Sequence, residues 1–241
     1  MQPPADHDPG TEAIPSDDVP PALAKRLALL YNRYRIGVSV LALSLPFLVV
    51  CVGRRFGDRF DSVSAYYYSE TGGVFIGFLF VLAAYFAIYG AGLETSSTPT
   101  KPRSTWVFVR DVVAAVAAVT VALLPTKPPG VDDPSTVVRA IAAIHLFAAG
   151  LVFLMLALLA LNFYRRTRGG KLVLLRWVSL IGAIGMLVAL AWGAYRILNE
   201  RAILGPEVLA LIAFGTTWLA HGINQAPLGK SIKRMVSHSP E

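Results

Sequence analysis

Six apolar stretches constrain the fold of this chain more than any other feature of its sequence. A helix that crosses a lipid bilayer needs about 20 mostly apolar residues. Only 15% of the residues are charged, against about 25% in an average soluble domain. The sequence therefore predicts an all-α integral membrane protein, a bundle of six transmembrane helices. The predicted spans are residues 36–53, 73–92, 106–124, 137–163, 173–195 and 205–222.

Three further segments flank the predicted six-helix domain, which occupies residues 36–222. Residues 1–20 contain five carboxylates, five prolines and no Lys or Arg, a composition typical of a disordered tail. Residues 21–35 resemble an amphipathic helix that lies at the membrane interface. Residues 223–241 form a basic tail, which we expect in the cytoplasm.

The basic residues predict the orientation of the bundle. Of the 22 Lys and Arg residues, 15 fall on the side of the two termini and 7 on the opposite side. Because cytoplasmic loops carry the excess of Lys and Arg, both termini are predicted to be cytoplasmic.

The same Lys and Arg residues lie in short runs between apolar segments. Membrane lipids are therefore the expected partners, and nucleic acid is not.

The polar residues predicted near the outer ends of the helices form one candidate site. It could be a pocket that opens outward, in which Glu70 or Glu207 is a base and His145 its partner. The other interpretation is structural. Tyrosines are enriched at membrane interfaces, glutamates are favoured at helix starts, and a histidine can bond a neighbouring helix. The candidate outer polar cluster is Tyr66, Tyr67, Tyr68, Ser69, Glu70, Arg139, His145 and Glu207.

A second candidate cluster lies near the cytoplasmic ends and consists of Arg110, Asp111, Arg176 and His221. Asp111 could instead pair with Arg110 or Arg176, which would lower the energetic cost of burying its charge. Glu207 and His221 are 14 residues apart, or about 21 Å along a helix. The two clusters are therefore separate sites.

The sequence carries none of the common catalytic signatures. H-E-x-x-H, G-x-S-x-G and the Walker A motif are missing. Cys51 is the only cysteine, and two membrane histidines at different depths do not make a zinc site. We expect neither a metal nor a cofactor.

Two stripes of small residues could mediate close helix packing. Gly73 and Gly77 form a G-x-x-x-G on the second span, and Gly185, Ala189 and Gly193 form a stripe on the fifth. Such stripes let helix backbones approach closely in lipid. They could serve packing within the bundle, or they could mediate a homo-oligomer.

Several short motifs resemble those of a family of uncharacterised bacterial multipass membrane proteins. Ser62-Val-Ser-Ala-Tyr-Tyr-Tyr68 followed by Val74-Phe-Ile-Gly77 is similar to the family's Ser-x-Ser-Ala-Tyr-Tyr-His and Arg-Asp-x-Phe-x-Gly. Further similar positions are Ala122-Leu-Leu-Pro-Thr126, His145, Glu207, Phe214-Gly215 and Trp218 to Gly222, with His221 where the family usually has Lys.

The resemblance implies a bacterial cytoplasmic (plasma) membrane location and no established activity. In the family, the motif His and the Arg-Asp pair, with the histidine of the fourth helix, suggest a metal or hydrolase site like that of membrane ceramidases. This chain has Tyr68, Gly72 and Gly73 at the first three of those positions. It therefore lacks most of such a site.

The leading functional hypothesis is a membrane protein that binds a lipid or small ligand in an outward-facing polar cavity. One alternative is a membrane-embedded lipid hydrolase-like enzyme that uses Glu70, His145 and Glu207. Another is a small transporter, although no internal repeat or pair of broken helices supports it.

Overall fold

Six long helices make up most of the computed structural model, which describes residues 21–57, 60–90, 105–131, 133–167 and 172–225. The predicted tail at residues 1–20 and most of the one at 223–241 lie outside the described residues. In chain order the helices are α1 (Pro21–Phe47), α2 (Gly72–Gly90), α3 (Thr105–Leu123), α4 (Thr136–Thr167), α5 (Val173–Leu198) and α6 (Leu204–Gln225). The described residues contain no strand, so the all-α prediction is confirmed for them.

Helix α1 is longer than the sequence predicts. It runs from Pro21 through residue 35 without a break, and Arg35 is completely buried. Residues 21–35 are thus the first part of α1 rather than a separate interfacial helix. Near its other end, Pro46 lies inside the helix, where it removes one backbone hydrogen bond. The chain then continues as a π-helical turn, Leu48–Val52, and a last helical turn, Gly53–Arg55.

Four helical segments of the described chain are long and apolar enough to cross a membrane. They are Leu29–Arg55, Thr105–Leu123, Thr136–Thr167 and Val173–Leu198. Helix α2 is strongly apolar over the shorter stretch Gly72–Ile88. The membrane class of the protein rests on these helices, and the spanning criterion holds for four of the six predicted spans.

The helices form a closed ring in chain order. Each packs against the next, and α6 returns to pack against α1. A direct contact between α4 and α6 leaves α5 outside the centre of the ring. The core includes Leu45, Leu82, Leu156, Phe214 and Trp218, each at most 2% exposed.

Two glycines allow α6 to approach its neighbours closely. A Cβ at Gly182 of α5 would lie 1.8 Å from the Thr217 hydroxyl oxygen, and one at Gly215 would lie 2.6 Å from Leu43 Cγ.

Alternate helices run in opposite directions, so the ring has two ends. The Glu207 end carries the described parts of three connections, at residues 56–57 and 60–71, 124–131 and 133–135, and 199–203, and the His221 end carries Arg35 and Ser179.

Candidate functional site

A polar cleft of about 480 Å³ opens at the Glu207 end of the ring. Three chain segments form its walls, at residues 60–65, 126–131 and 197–203, and Leu146 of α4 forms part of its floor. The walls thus come from the connections between helices, where functional residues of membrane bundles can meet water.

An apolar slot of about 200 Å³ continues from this cleft between α4, α5 and α6. Leu146, Ile197 and Ile203 line both the cleft and the slot, so the two spaces adjoin. The slot owes its volume to small residues that leave room between the three helices. These are Ala149, Gly150, Ala189, Gly193, Ala194 and Ala210.

A third space lies inside the ring, and its volume is about 40 Å³. Apolar residues of α1, α2, α3, α4 and α6 surround it, and Ser64 and Glu207 are the polar residues in its lining. Glu207, Ala149 and Phe153 line both this cavity and the slot. Glu207 therefore occupies the wall between the slot and the interior of the ring.

The carboxylate of Glu207 binds the segment that precedes α2. The backbone N–H of Val63 and the hydroxyl of Ser64 donate to its two oxygens, and the backbone N–H of Ser64 adds a third hydrogen bond. These donors begin the 3₁₀-helix Ser64–Tyr68. A carboxylate at that position satisfies N–H groups that have no partner within the turn.

The first serine of the Ser62-Val-Ser-Ala-Tyr-Tyr-Tyr68 motif has a similar role. Its hydroxyl oxygen accepts a hydrogen bond of 2.9 Å from the backbone N–H of Ala65. Tyr66 is 1% exposed and packs under Gly53, where an added Cβ would lie 2.3 Å from the ring. These contacts of the motif stabilise a turn, and they explain its serines and its central tyrosine in structural terms.

Tyr68 and His145 hold the second wall of the cleft. The Tyr68 hydroxyl donates to the Thr126 carbonyl at 2.6 Å, and Nδ1 of His145 lies 2.6 Å from the Leu124 carbonyl. Because a carbonyl only accepts, Nδ1 carries a proton. Partial burial, and to a smaller extent Tyr67, raises the pKa of the Tyr68 hydroxyl, which keeps it a donor.

The third wall is fixed by backbone groups and by one arginine. The Asp61 carbonyl accepts hydrogen bonds from the backbone N–H groups of Ile203 and Leu204, at 2.9 and 2.7 Å. Nε of Arg196 donates to the Ala202 carbonyl at 2.7 Å. Each wall of the cleft is therefore tied to a helix or to another wall.

The remaining residues of the predicted outer cluster lie apart from these bonds. Glu70 and Arg139 are exposed, and Arg139 lies 4.0 Å from Asp133. The Ser69 hydroxyl donates to the Tyr66 carbonyl. Among the described residues no hydrogen bond joins any two of Glu70, His145 and Glu207. These three contact different groups, and the structure does not place them in one hydrogen-bonded network.

The predicted inner residues form three separate pairs at the His221 end. Arg110 and Asp111 make a buried ion pair of 2.6 Å, which agrees with the pairing expected from the sequence. Arg176 donates to the Tyr164 hydroxyl at 3.4 Å. Nε2 of His221 lies 2.7 Å from the Ser179 hydroxyl, and its ring packs 4.3 Å from that of Phe163.

The Ser179–His221 pair has the residue types of a nucleophile and its base, but its geometry is structural. The Ser179 hydroxyl donates its single proton to the Leu175 carbonyl at 2.8 Å, so Nε2 of His221 donates to the serine oxygen. Neither residue lines the cleft, the slot or the interior cavity. The pair therefore links α5 to α6 rather than facing a substrate space.

Sequence reasoning missed the central residue of this end, Arg35. Its guanidinium donates to the Tyr31 hydroxyl at 3.2 Å and lies over the rings of Tyr31 and Phe163 at 5.1 and 5.3 Å. The Tyr31 hydroxyl is 2.7 Å from that of Tyr85 on α2. Tyr31 and Arg35 are one helical turn apart, and that spacing is a usable signal, although the sequence predicts an interfacial helix for residues 21–35.

Among the described residues, no three His, Cys, Asp or Glu side chains come close enough together to hold a metal ion. Charged side chains, backbone groups and apolar surface line the cleft.

A family model described as "Protein of unknown function (DUF998)" matches residues 36–221. The chain belongs to DUF998. The matched region runs from the middle of α1 to His221, so the DUF998 portion includes the cleft, the slot and the Ser179–His221 pair, and it begins directly after Arg35. Membership agrees with the expected resemblance to an uncharacterised family. No curated protein and no solved structure gives a significant match.

Proposed function

We propose that this DUF998 protein binds an amphiphilic ligand, a lipid whose headgroup occupies the cleft and whose chain occupies the slot. The observation that carries the proposal is the junction of the two spaces at Leu146, Ile197 and Ile203. A polar space that continues into an apolar one matches a molecule that is itself polar at one end and apolar at the other.

The dimensions of the two spaces suit such a ligand. The cleft, at about 480 Å³, falls within the range of roughly 300–1,000 Å³ that is usual for ligand pockets. The slot follows α4 from Leu146 to Phe153, a length of about 10 Å at the helical rise. One leaflet of the hydrocarbon core is about 15 Å deep. The slot therefore extends through most of one leaflet and accommodates the upper part of one chain.

Preorganisation of the walls also supports binding. Glu207, Tyr68, His145 and Arg196 hold the three segments before any ligand arrives. Less conformational entropy is lost on binding when the loops of a site are already ordered. Glu207, Tyr68 and His145, which the sequence predicts as parts of a polar cluster, thus support the site by holding its walls in place.

The proposal includes a topology and a location. All six helices span a bacterial cytoplasmic membrane, and both termini lie in the cytoplasm. In this topology the cleft faces outward. The lipid-hydrolase alternative gains no support from the separate contacts of Glu70, His145 and Glu207. The transporter alternative gains none from the centre of the ring, where the interior cavity has a volume of only about 40 Å³.

The proposal also includes a homo-oligomer, in which the first stripe of small residues, Gly73 and Gly77, would contact another copy of the chain. Nothing in the described chain lies within 4 Å of a Cβ added at Gly73 or Gly77, and both face away from the ring. In the second stripe, Gly185 and Gly193 already face Ala213 and Pro206 of α6.

The proposal is tested by filling the slot. A Cβ added at Gly150 would meet only Leu190, at 4.0 Å, so a leucine there can be built without a backbone clash and would extend into the slot. Gly37→Leu is the matched control, because Gly37 is exposed on α1 with nothing near its Cβ position.

Native mass spectrometry of protein extracted with its own lipids measures the outcome. We expect bound amphiphile in the unmodified protein and in Gly37→Leu, and at least tenfold less in Gly150→Leu. Equal occupancy in the three proteins, or no bound amphiphile in any, would refute the proposal.

A further inference from the structure

The charges around the cleft point to one class of headgroup. We infer that the bound amphiphile carries a zwitterionic headgroup, with a phosphate and an ammonium group. The inference rests on the proposed function, since it concerns the occupant of the same cleft.

Among the described residues, the cleft is lined by two cations and two anions. Lys127 and Arg201 are the cations, and Asp61 and Glu200 are the anions. All four side chains are exposed, and within the described part of the chain none of them forms an ion pair with another residue. Four charges of mixed sign thus face one space without neutralising each other.

The charges are distributed over all three walls. Lys127 lies on the 126–131 segment, Asp61 on the 60–65 segment, and Glu200 and Arg201 on the 197–203 segment. Arginine and lysine are the side chains that bind phosphate, with charge-assisted hydrogen bonds. A carboxylate is the matching partner of an ammonium group. A headgroup with both charges satisfies the cleft, whose net charge from these four residues is zero.

The end of α5 fixes the backbone at Glu200. Glu200 has φ 52°, the left-handed conformation. The backbone N–H groups of Glu200 and Arg201 donate to the carbonyls of Ile197 and Arg196, at 3.1 and 2.8 Å, which is the hydrogen-bond pattern of a helix that ends in a left-handed residue. Here the Asp61 carbonyl and Arg196 fix the loop on both sides of Glu200. The fold therefore keeps this carboxylate at the cleft.

Other headgroups fit the same charges less well. An anionic headgroup would bring its phosphate close to two carboxylates that have no cation of their own. An uncharged headgroup would exclude water from four charged groups without replacing its hydrogen bonds. Both penalties discriminate against these ligands more than any single attractive contact does.

The test compares three single-chain probes with the same acyl chain. They are lysophosphatidylethanolamine, which is zwitterionic, lysophosphatidic acid, which is anionic, and monoacylglycerol, which is uncharged. Phosphoethanolamine without a chain is the fourth probe, and it separates a lipid headgroup from a free phosphate compound. Dissociation constants are measured by titration of the purified full-length protein in nanodiscs.

We expect the zwitterionic probe to bind at least tenfold more tightly than the other two lysolipids. The Lys127→Gln/Arg201→Gln pair should weaken its binding by tenfold or more while leaving monoacylglycerol unchanged. Asp61→Asn/Glu200→Gln should abolish the preference for the zwitterionic probe over lysophosphatidic acid. Arg139→Gln, an exposed change at the same end and outside the cleft, should leave all constants unchanged.

Each possible failure has a distinct meaning. Equal binding of the three lysolipids, or an unchanged preference in the Asp61→Asn/Glu200→Gln protein, would overturn the headgroup assignment and leave the amphiphile site intact. Binding of phosphoethanolamine as tight as that of the zwitterionic lysolipid would show that the chain plays no part, which overturns both proposals. Lysolipid binding that Gly150→Leu does not reduce would also place the ligand elsewhere.

Discussion

Gly182 is the position where the packing of the ring can be tested most directly. A Cβ added there would lie 1.8 Å from Oγ1 and 3.1 Å from Cβ of Thr217, and 3.2 Å from the Ala213 carbonyl oxygen. Thr217 is fully buried, and its hydroxyl already donates to Ala213 at 2.7 Å. Rotation of the threonine would break that hydrogen bond and would leave its Cβ in place. Gly182→Ala must therefore push α5 away from α6.

The magnitude follows from comparison with a glycine that has room. Overpacking of a well-packed core costs about 1–3 kcal/mol. Replacing a helical glycine with alanine contributes about 1 kcal/mol of stability by itself. Gly150→Ala, whose Cβ would have its nearest neighbour at 4.0 Å, receives only that second effect. The two variants should therefore differ by about 1–3 kcal/mol in free energy of unfolding.

Unfolding in mixed detergent micelles, followed by tryptophan fluorescence, measures these free energies. Trp218 is fully buried beside Phe214 and reports on the core of the ring. Gly185→Ala provides an intermediate case, because its Cβ would lie 3.1 Å from Ala213 Cβ. We expect stability to fall in the order Gly150→Ala, Gly185→Ala, Gly182→Ala.

A double-mutant cycle identifies the cause of the loss. Thr217→Ala removes the oxygen that the new methyl group would strike, so Gly182→Ala should be less destabilising in that background. Contacting residues usually couple by about 0.5–3 kcal/mol. A Gly182→Ala protein as stable as Gly150→Ala, or two changes that add independently, would refute the proposed contact between α5 and α6.

Two further predictions concern the Glu207 end and the orientation of the bundle. Glu207→Gln should lower the free energy of unfolding by about 1–3 kcal/mol, because its amide NH₂ would face one of the three donors and leave it without an acceptor; a loss below about 0.5 kcal/mol would contradict this role. In a cysteine-free background, Lys127→Cys should react with an impermeant maleimide in intact cells and Arg166→Cys only after permeabilisation, and the opposite pattern would invert the topology.

The sequence predicts the helices well because the requirement for an apolar span is a local property. Each of the six predicted spans overlaps one long helix, although α4 extends to Thr167 and α1 starts at Pro21. The amphipathic pattern of residues 21–35 predicts an interfacial helix there. Their polar partners, such as Tyr85 for Tyr31, lie 54 residues away in sequence, and local periodicity contains no information about them.

The candidate site was less predictable for a related physical reason. Depth along the helices predicts Tyr68, His145 and Glu207 at the same end of the bundle. Depth does not determine direction, however. The Tyr68 and His145 side chains bond Thr126 and Leu124 of one connection, whereas Glu207 bonds another connection, at residues 63 and 64. The charged residues of the cleft, such as Asp61 and Glu200, lie in connections without a hydrophobic pattern. Only the folded ring reveals that these connections meet.

At the Glu207 end, some polar residues hold the loops and others line the cleft. This difference follows from the medium in which the helices lie. In a bilayer, a polar group near the hydrocarbon core must find its partner within the protein. Glu207, His145 and Arg196 do so by binding backbone groups of the loops, so they are committed to holding the cleft. The charges of the proposed ligand must then be met by residues that water can solvate in the empty state. Lys127 and Arg201 satisfy this condition, because both are exposed and both line the cleft.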